Sequence, residues 1–235
     1  MSLLSTRGLS KSFDGLQAVT DVDFDLPQGE VHALIGPNGA GKTTFVSMLC
    51  GRILPSSGTV TFDGADITTL PAHARIMRGM AYTFQITSIF ARLPVTENVA
   101  LAARRRHQGR DVDDVVTTSL ARVGLQDEAA EDAGNLSYGH QRLLEIAMGL
   151  AQSPRLLILD EPTQGLSEGE IADFKALVRE LAGDTTILLI EHNMNVVMET
   201  ADKVSVLNFG EMLTHGTPQE IRANDAVQAA YLGTG

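Results

Sequence analysis

The feature that most constrains the fold of this sequence is a glycine-rich segment at residues 36–44, which reads GPNGAGKTT. It fits the pattern G-x-x-x-x-G-K-[ST], in which glycines let the backbone curl so that several N–H groups point toward phosphate oxygens. The apolar run at 31–35 is expected to form a short buried strand before it, and residues 44–51 a helix after it. The positive end of that helix would face the anion. The sequence therefore predicts a phosphate-binding loop between a strand and a helix.

We expect two side chains of this loop to contact the nucleotide and its metal ion. Lys42 would reach the β- and γ-phosphates of a nucleotide, and Thr43 would place its hydroxyl group on Mg²⁺. The alternative is a glycine-rich turn that binds nothing. The strand and helix expected on either side favour the phosphate-binding interpretation.

Length, charge and cysteine content limit the class of protein. A chain of 235 residues can form one large domain, with or without an inserted subdomain. The net charge of −11 argues against binding to a phosphate backbone through lysine and arginine, so no nucleic acid is expected as a partner. We find no apolar run of membrane-spanning length and no signal-peptide pattern. The single cysteine, Cys50, allows no internal disulfide, which fits a reducing cytoplasm.

Short apolar strands are expected on both sides of the segment 86–151. Residues 1–35 alternate apolar and polar side chains in places, which predicts antiparallel strands joined by turns at Asp14-Gly15 and at 27–29. Further strands are expected at 58–64, 79–85, 156–159, 186–190 and 204–207. Because continuous apolar strands alternate with helices, the pattern favours a parallel sheet covered on both faces.

Between residues 86 and 151 the strand pattern gives way to helical spacing. Helices are expected over 95–106, 111–123 and 142–151, and the apolar residues of the second share one face: Val112, Val115, Val116, Leu120 and Val123. We therefore expect a single domain over 1–235 in which a helical subdomain, 89–151, is inserted between two core segments, 1–88 and 152–235.

The acidic pair Asp160-Glu161, which follows four apolar residues, is the second chemical signal. Asp160 would reach the Mg²⁺ shell, and Glu161 would polarise a water molecule against the γ-phosphate. Gln85 and His192 also follow apolar strands, and open parallel sheets collect ligand groups at the carboxyl ends of their strands. A lone histidine is more often structural, but the order of loop, glutamine, acidic pair and histidine favours a functional role.

Residues 136–141, Leu-Ser-Tyr-Gly-His-Gln, precede a strongly helical stretch. Ser137 and Gly139 at a helix N-terminus would form a second anion site from a hydroxyl group, free N–H groups and a favourable dipole. An ordinary N-cap by Ser137 explains the same residues equally well. Spacing alone leaves both interpretations open.

Together these motifs closely resemble the ATP-binding subunits of ATP-binding-cassette (ABC) transporters, over essentially the whole chain. The resemblance implies an α/β fold: a P-loop NTPase core with a mostly parallel sheet, an N-terminal antiparallel β part and an inserted α-helical subdomain. It implies an ATPase with ATP and Mg²⁺ as cofactors. The family's Walker A loop, which binds the nucleotide, falls on Gly36, Asn38, Gly39, Ala40, Gly41, Lys42, Thr43 and Thr44.

The same resemblance assigns the catalytic and metal-binding positions. Gln85 corresponds to the Q-loop residue, which links Mg²⁺ to the transmembrane partner and belongs to the catalytic set. Asp160 corresponds to the Walker B acid, a Mg²⁺ ligand together with Thr43. Glu161 corresponds to the catalytic glutamate and His192 to the switch histidine.

The resemblance further implies a head-to-tail dimer with two ATP molecules between the subunits. Ser137 and Gly139, in the signature motif, would contact the γ-phosphate bound by the partner. Phe13 matches the aromatic residue that stacks on adenine, the alternative being a strand residue in the core. The chain departs from the family pattern at Tyr138 and His140 in the signature and at Ser167, where the D-loop usually has aspartate. These departures concern communication across the dimer.

Within the family, Tyr138 and the stretches 190–194, 215–218 and 230–233 look like the branched-chain amino acid importer subunits. Urea importers and the lipopolysaccharide exporter's ATPase share much of the tail and are alternatives. The expected partners are transmembrane permease subunits, a second copy or a related ATPase subunit as dimer partner, and indirectly a substrate-binding protein. The expected location is the cytoplasmic face of the cell membrane.

Two interpretations from other classes remain. A soluble ABC ATPase acting as an ATP-switched module usually has two cassettes or a long coiled-coil insertion, and this chain has neither. A regulatory cassette with impaired hydrolysis is disfavoured by Glu161 and His192.

Two surface features have open interpretations. The basic run at 104–107, Arg-Arg-Arg-His, is either a solvated helix end or a contact for a permease or for anionic lipid. The segment 87–93, with Ile89 and Phe90, either forms an apolar groove for a permease helix or packs in the core.

Overall fold

The computed structural model describes residues 2–83 and 88–232. Its strands, in chain order, are β1 (Ser2–Phe13), β2 (Leu16–Pro27), β3 (Val31–Ile35), β4 (Ser57–Phe62), β5 (Ala65–Asp66), β6 (Met80–Thr83), β7 (Leu156–Asp160), β8 (Thr186–Ile190), β9 (Lys203–Asn208) and β10 (Glu211–Gly216).

The helices of the described ranges follow in the same order. They are α1 (Lys42–Leu49), α2 (Ala72–Met77), α3 (Val95–Ala103), α4 (Arg110–Arg122), α5 (Tyr138–Leu150), α6 (Glu168–Leu181), α7 (Met194–Thr200), α8 (Pro218–Arg222) and α9 (Asp225–Leu232). None of these helices is both long enough and apolar enough to cross a membrane.

The N-terminal strands form the predicted antiparallel part. β1 and β2 make a hairpin around Asp14-Gly15, where both residues have positive φ angles of 47° and 88°. β4 pairs with the other edge of β1 and β5 with β4, which gives a four-stranded antiparallel sheet of order β2-β1-β4-β5.

The larger sheet has six strands in the order β10-β9-β3-β8-β7-β6. All neighbours pair in parallel except the edge pair β10 and β9, which is antiparallel. Every residue of β3, β7 and β8 is buried, because alternate side chains enter apolar clusters on opposite faces. In β7, Leu156 and Ile158 pack on the face that holds Phe45 of α1, while Leu157 and Leu159 pack on the face that holds Phe174 of α6.

The helices α3, α4 and α5 lie between β6 and β7 in the chain. The apolar face predicted for α4 packs into the same cluster as Leu157 and Phe174, so the helical segment shares a core with one face of the sheet. No strand occurs in the described residues 88–151 beyond the single bridge between Pro94 and Asp132. The boundaries 89 and 151 of the helical subdomain stay a prediction.

Helix ends differ from the sequence prediction for local reasons. α1 begins at Lys42 rather than at residue 44, because Gly41 with φ 97° is its N-cap. α5 begins at Tyr138 rather than at residue 142, because the Ser137 side chain accepts a hydrogen bond from the His140 N–H and starts the helix there. α3 ends at Ala103, so the basic run lies beyond it.

Candidate functional site

The predicted site residues follow strands that are neighbours in the larger sheet. β8 lies between β3 and β7, with Ile190 in register with both Leu34 and Asp160. The Glu161 N–H donates to Ile190 O at 2.9 Å, which joins the ends of β7 and β8. The phosphate loop, His192 and the acidic pair therefore leave the same edge of the sheet. Gln85 lies outside the described residues.

The phosphate loop is packed so closely from behind that two of its positions accept only glycine. A Cβ atom on Gly36 would lie 2.1 Å from Leu207 O, and one on Gly41 would lie 2.5 Å from Ala18 O. Both glycines also have positive φ angles, 154° and 97°. The N-cap of α1 makes no side-chain hydrogen bond, so the N–H groups of its first turn are left to an anion.

Lys42 brings a buried positive charge into this loop. Its Nζ donates to Gly36 O at 2.6 Å and to Pro37 O at 3.1 Å. Burial lowers the pKa of the Lys42 ammonium group, and the nearby Glu161 and Asp160 carboxylates act in the opposite direction. A polyphosphate at this loop would gain a cation that is shielded from water.

An open groove of about 710 Å³ runs along the loop. Residues 38–44, Glu161, the β2 segment 16–18 and Phe209-Gly210 line it. Asn38, Gly39 and Thr43 are exposed, whereas Ala40 and Lys42 are buried. The site fits a nucleoside triphosphate, because it combines a curled backbone, a free helix N-terminus and a buried ammonium group.

The oxygen donors available at this edge fit a magnesium ion that is bound together with a nucleotide. Asp160 is buried, its Oδ2 accepts a 2.6 Å hydrogen bond from the Tyr82 hydroxyl, and burial raises the pKa of the Asp160 carboxyl. Within residues 2–83 and 88–232, no group of three or more acidic, histidine or cysteine side chains forms a metal cage. Mg²⁺ usually takes one or two protein carboxylates and completes its shell with substrate phosphates and water. Thr43 and Asp160 fit that pattern.

The two residues predicted to act on the γ-phosphate lie in adjacent loops. Glu161 has a positive φ of 47° and lines the groove beside Lys42. His192 is exposed and lies in the loop between β8 and α7, directly after Glu191.

Sequence reasoning missed Glu191, the completely buried first residue of the loop that carries His192. Its carboxylate accepts hydrogen bonds from Thr163 on one side and from the backbone of His192 and Asn193 on the other. The available signal was an acidic residue directly after a buried apolar strand.

The signature segment packs against the D-loop of the same chain. Ser137 is exposed and caps α5, so the N-cap interpretation holds, while its contact with a partner's phosphate stays a prediction. A Cβ atom on Gly139 would lie 2.0 Å from Glu170 Oε1. Ser167 and Glu170 form a complete capping box at the start of α6, so serine at this position has a structural role of its own. Tyr138 packs on Gly165 and accepts a 2.9 Å hydrogen bond from Arg142.

Phe13 stands at the end of β1, 45% exposed, with the Lys11 ammonium group 5.0 Å from its ring centroid. An exposed ring is what stacking on adenine requires. The groove at the phosphate loop is lined instead by Leu16 and by Phe209, a residue that sequence reasoning missed and that is 85% exposed.

Comparisons with known proteins agree with this geometry. The model of the family described as "ABC transporter" matches residues 19–164, and that of the "Branched-chain amino acid ATP-binding cassette transporter" matches residues 211–235. The chain is 41% identical to the high-affinity branched-chain amino acid transport ATP-binding protein LivG of Salmonella typhimurium, over 98% of both chains. It is 33% identical to the lipopolysaccharide export system ATP-binding protein LptB of Escherichia coli, over 99% of this chain and 98% of that protein.

The fold agrees with a solved structure as well. The ADP conformation of MJ1267, an ATP-binding cassette of an ABC transporter, superimposes with a TM-score of 0.92 at 26% identity over 99% of both chains. The predicted fold class, an α/β core with an antiparallel N-terminal sheet and a helical insertion, is thereby confirmed. The chain belongs to the ABC transporter family, as an ATP-binding subunit of the branched-chain amino acid transporter type.

Proposed function

We propose that this ABC transporter ATPase energises a membrane transporter that imports branched-chain amino acids. The observation that carries the substrate class is the C-terminal match at residues 211–235, which the model of the branched-chain amino acid cassettes covers. The full-length similarity to LivG supports the same conclusion. The lipopolysaccharide export protein, a more distant relative, makes export the alternative that an experiment must exclude.

In the proposed mechanism the phosphate loop holds the triphosphate. Lys42 gives up its hydrogen bonds to the loop carbonyls and donates to the β- and γ-phosphates, while the backbone N–H groups of residues 39–44 surround the remaining oxygens. Thr43, Asp160 and Gln85 are the proposed ligands of Mg²⁺, which when bound neutralises charge on the phosphates. Phe13 is proposed to stack on adenine.

Residues in the loops after β7 and β8 act in the hydrolytic step. Glu161 aligns the attacking water with the γ-phosphate and accepts a proton from that water. His192 donates a hydrogen bond to the γ-phosphate as negative charge develops on it. Ser137 and Gly139 are proposed to complete the site of a partner subunit, which is either a second copy of this chain or a related ATPase. Each subunit alone then lacks half of its site, so hydrolysis is expected to be slow at low protein concentration.

A groove of about 480 Å³ between the sheet and the helical segment supports a docking role for the predicted region 87–93, of which Thr87 lies outside the described residues. Phe90 is 56% exposed there and lies beside Leu101 and Arg105, whereas Ile89 packs against the core. We propose that a permease helix binds in this groove at the cytoplasmic face of the membrane, and that a substrate-binding protein acts through the permease.

The basic run contributes less to that surface than its sequence suggests. Arg104 pairs with Glu97 at 2.6 Å, and Arg106 donates to Gln152 O at 3.3 Å. Both contacts support the helix-end interpretation for these two residues. Arg105 is the residue of the run that lines the groove.

The test is capture of the tagged protein from detergent-solubilised native membranes. We expect two hydrophobic permeases and a similar ATPase, together with loss of leucine uptake when the chain is deleted. Phe90→Arg should lose the permeases and retain ATP hydrolysis, and Leu54→Arg, at an exposed position outside the groove lining, should lose neither. Recovery of lipopolysaccharide-export components, or of soluble partners alone, would contradict the import function.

A further inference from the structure

Glu191 connects two loops through a fully buried carboxylate. Its Oε1 accepts a 3.1 Å hydrogen bond from the Thr163 N–H and a second one from the Thr163 hydroxyl. Its Oε2 accepts from the N–H groups of His192 and Asn193, each at 3.0 Å. Each carboxylate oxygen is therefore bound by a different loop.

The two loops are those that carry the hydrolytic residues. Thr163 follows Glu161 and Pro162 in the segment between β7 and α6, and His192 follows Glu191 in the segment between β8 and α7. Asn193 is held from both sides, since its N–H donates to Glu191 and its side chain caps α7 by accepting from the Asn195 N–H at 3.1 Å. The backbone that presents His192 is thus fixed between a carboxylate and a helix start.

The chemistry of this contact depends on a carboxylate. Three backbone N–H groups and one hydroxyl group donate to the Glu191 carboxylate. The free-energy cost of burying this charge away from water is offset only if both of its oxygens remain hydrogen-bonded. A glutamine of the same shape would turn its NH₂ group toward N–H donors on one side. One of the two loops would then lose its attachment.

We propose that Glu191 is a positioning residue that locks the His192 loop to the Glu161 loop. The His192 side chain and the Glu161 carboxylate are then held at a fixed position relative to each other, facing the same γ-phosphate. This inference rests on the roles proposed above for Glu161 and His192. Glu191 does not touch the nucleotide groove, so its removal should affect turnover and leave ATP binding intact.

The experiment compares Glu191→Gln with Glu220→Gln in the full chain. Glu220 is a matched control, because its carboxylate also accepts from a backbone N–H and a hydroxyl, both of Thr217, but at the start of α8. Steady-state hydrolysis at high protein concentration should show kcat reduced about 10- to 100-fold in Glu191→Gln, with the KM for ATP within about twofold of wild type. Glu220→Gln should match wild type in both.

Two further measurements separate positioning from general destabilisation. The double variant Glu191→Gln/His192→Ala should turn over no more slowly than His192→Ala alone, because Glu191 acts through the histidine loop. Amide hydrogen exchange without nucleotide should be faster in peptides covering 190–197 of Glu191→Gln, and unchanged there in Glu220→Gln. Thr163→Val, which removes one of the four donors, should lower kcat several-fold at constant KM.

Wild-type kcat in Glu191→Gln, or losses that multiply with His192→Ala, would overturn the inference. If Glu191→Gln does not fold, Thr163→Val decides, and wild-type turnover in that variant would overturn the lock. A His192→Ala protein with wild-type turnover would instead contradict the proposed hydrolytic mechanism. In that event the exchange measurement alone confirms or overturns the connection between the loops.

Discussion

The ammonium group of Lys42 donates a 2.6 Å hydrogen bond to the carbonyl oxygen of Gly36, at the opposite end of the same loop. A second bond to Pro37 O completes the contact, so the lysine braces the loop from inside. A bound triphosphate offers the same group charged acceptors, which form stronger hydrogen bonds than neutral carbonyls.

Replacing Lys42 by alanine should weaken ATP binding by about 10- to 100-fold, because charge-assisted bonds to phosphate are lost. Calorimetric titration with ATP under non-hydrolysing conditions measures the affinity. Lys175→Ala is the control and should bind normally, because Lys175 lies on α6 and pairs with Glu199 of α7. Unchanged affinity in Lys42→Ala would exclude this segment as the phosphate-binding loop.

Replacing Glu161 by glutamine should lower hydrolysis by about 100-fold or more, since the general base is removed and the side-chain shape is kept. ATP should then hold two subunits together, so light scattering with MgATP should report a dimer that wild type does not accumulate. Glu168→Gln, an exposed carboxylate in the first turn of α6, should hydrolyse ATP normally. A Glu161→Gln protein that stays monomeric at high concentration would contradict the two-subunit site.

Replacing Phe209 by asparagine should stabilise the fold. Phe209 and Gly210 have φ angles of 47° and 81° in the tight turn between β9 and β10, a geometry that favours an Asn-Gly pair. Since the phenyl ring is mostly exposed, little burial is lost and about 1 kcal/mol of backbone strain is relieved. Urea unfolding measures the change. Leu54→Asn, at another exposed site, should give no gain, and an unchanged midpoint for Phe209→Asn would show that the turn is unstrained.

The stability of the fold should fall between pH 7 and 5 because of His32. Burial lowers its pKa to about 4, and the nearby charges of His215 and Lys203 act in the same direction. Its Nε2 lies 2.9 Å from Ser205 Oγ, and its ring meets Phe24 edge to face. The unfolded chain takes up a proton near pH 6.5 and the folded chain does not, so stability is complete above that pH and is lost as pH falls toward 4.

The expected loss attributable to His32 at pH 5 is about 2 kcal/mol. Urea unfolding of the wild type and of His32→Gln at pH 7 and pH 5 measures this contribution to the free energy of unfolding, because the other titrating groups are common to the two proteins. Equal pH dependence of the two proteins would show that His32 keeps an ordinary pKa in the fold.

The sequence was sufficient for the strands that build the site, because β3, β7 and β8 are buried on both faces and read as unbroken apolar runs. The gathering of the site residues at one edge of the sheet also followed, since motifs at the carboxyl ends of parallel strands converge there. The elements not predicted are short or lie at an edge: α2, the strands β5 and β10, and the helices α7, α8 and α9. Such segments have too few turns or too little burial for a clear periodic pattern.

Contacts between distant parts of the chain could not be predicted from the sequence, for a different reason. Glu191 and Thr163 meet only because β7 and β8 are adjacent, and no periodicity within either segment reports that pairing. Phe209 lines the groove because its turn packs on the phosphate loop, with the Gly210 N–H donating to Ala40 O at 2.9 Å. Propensity alone treats that turn as an unremarkable exposed connection.

The contact of Gly139 with Glu170, and of Tyr138 with Gly165, has a consequence for protein engineering. A chimaera that takes its helical segment from a relative with glycine at position 138 and keeps residues 164–170 of this chain would face a gap beside Gly165. Transplanting the D-loop alone would remove the surface on which the tyrosine rests. We therefore expect the two segments to be exchanged best as a pair, because residues in direct contact couple in their effect on stability.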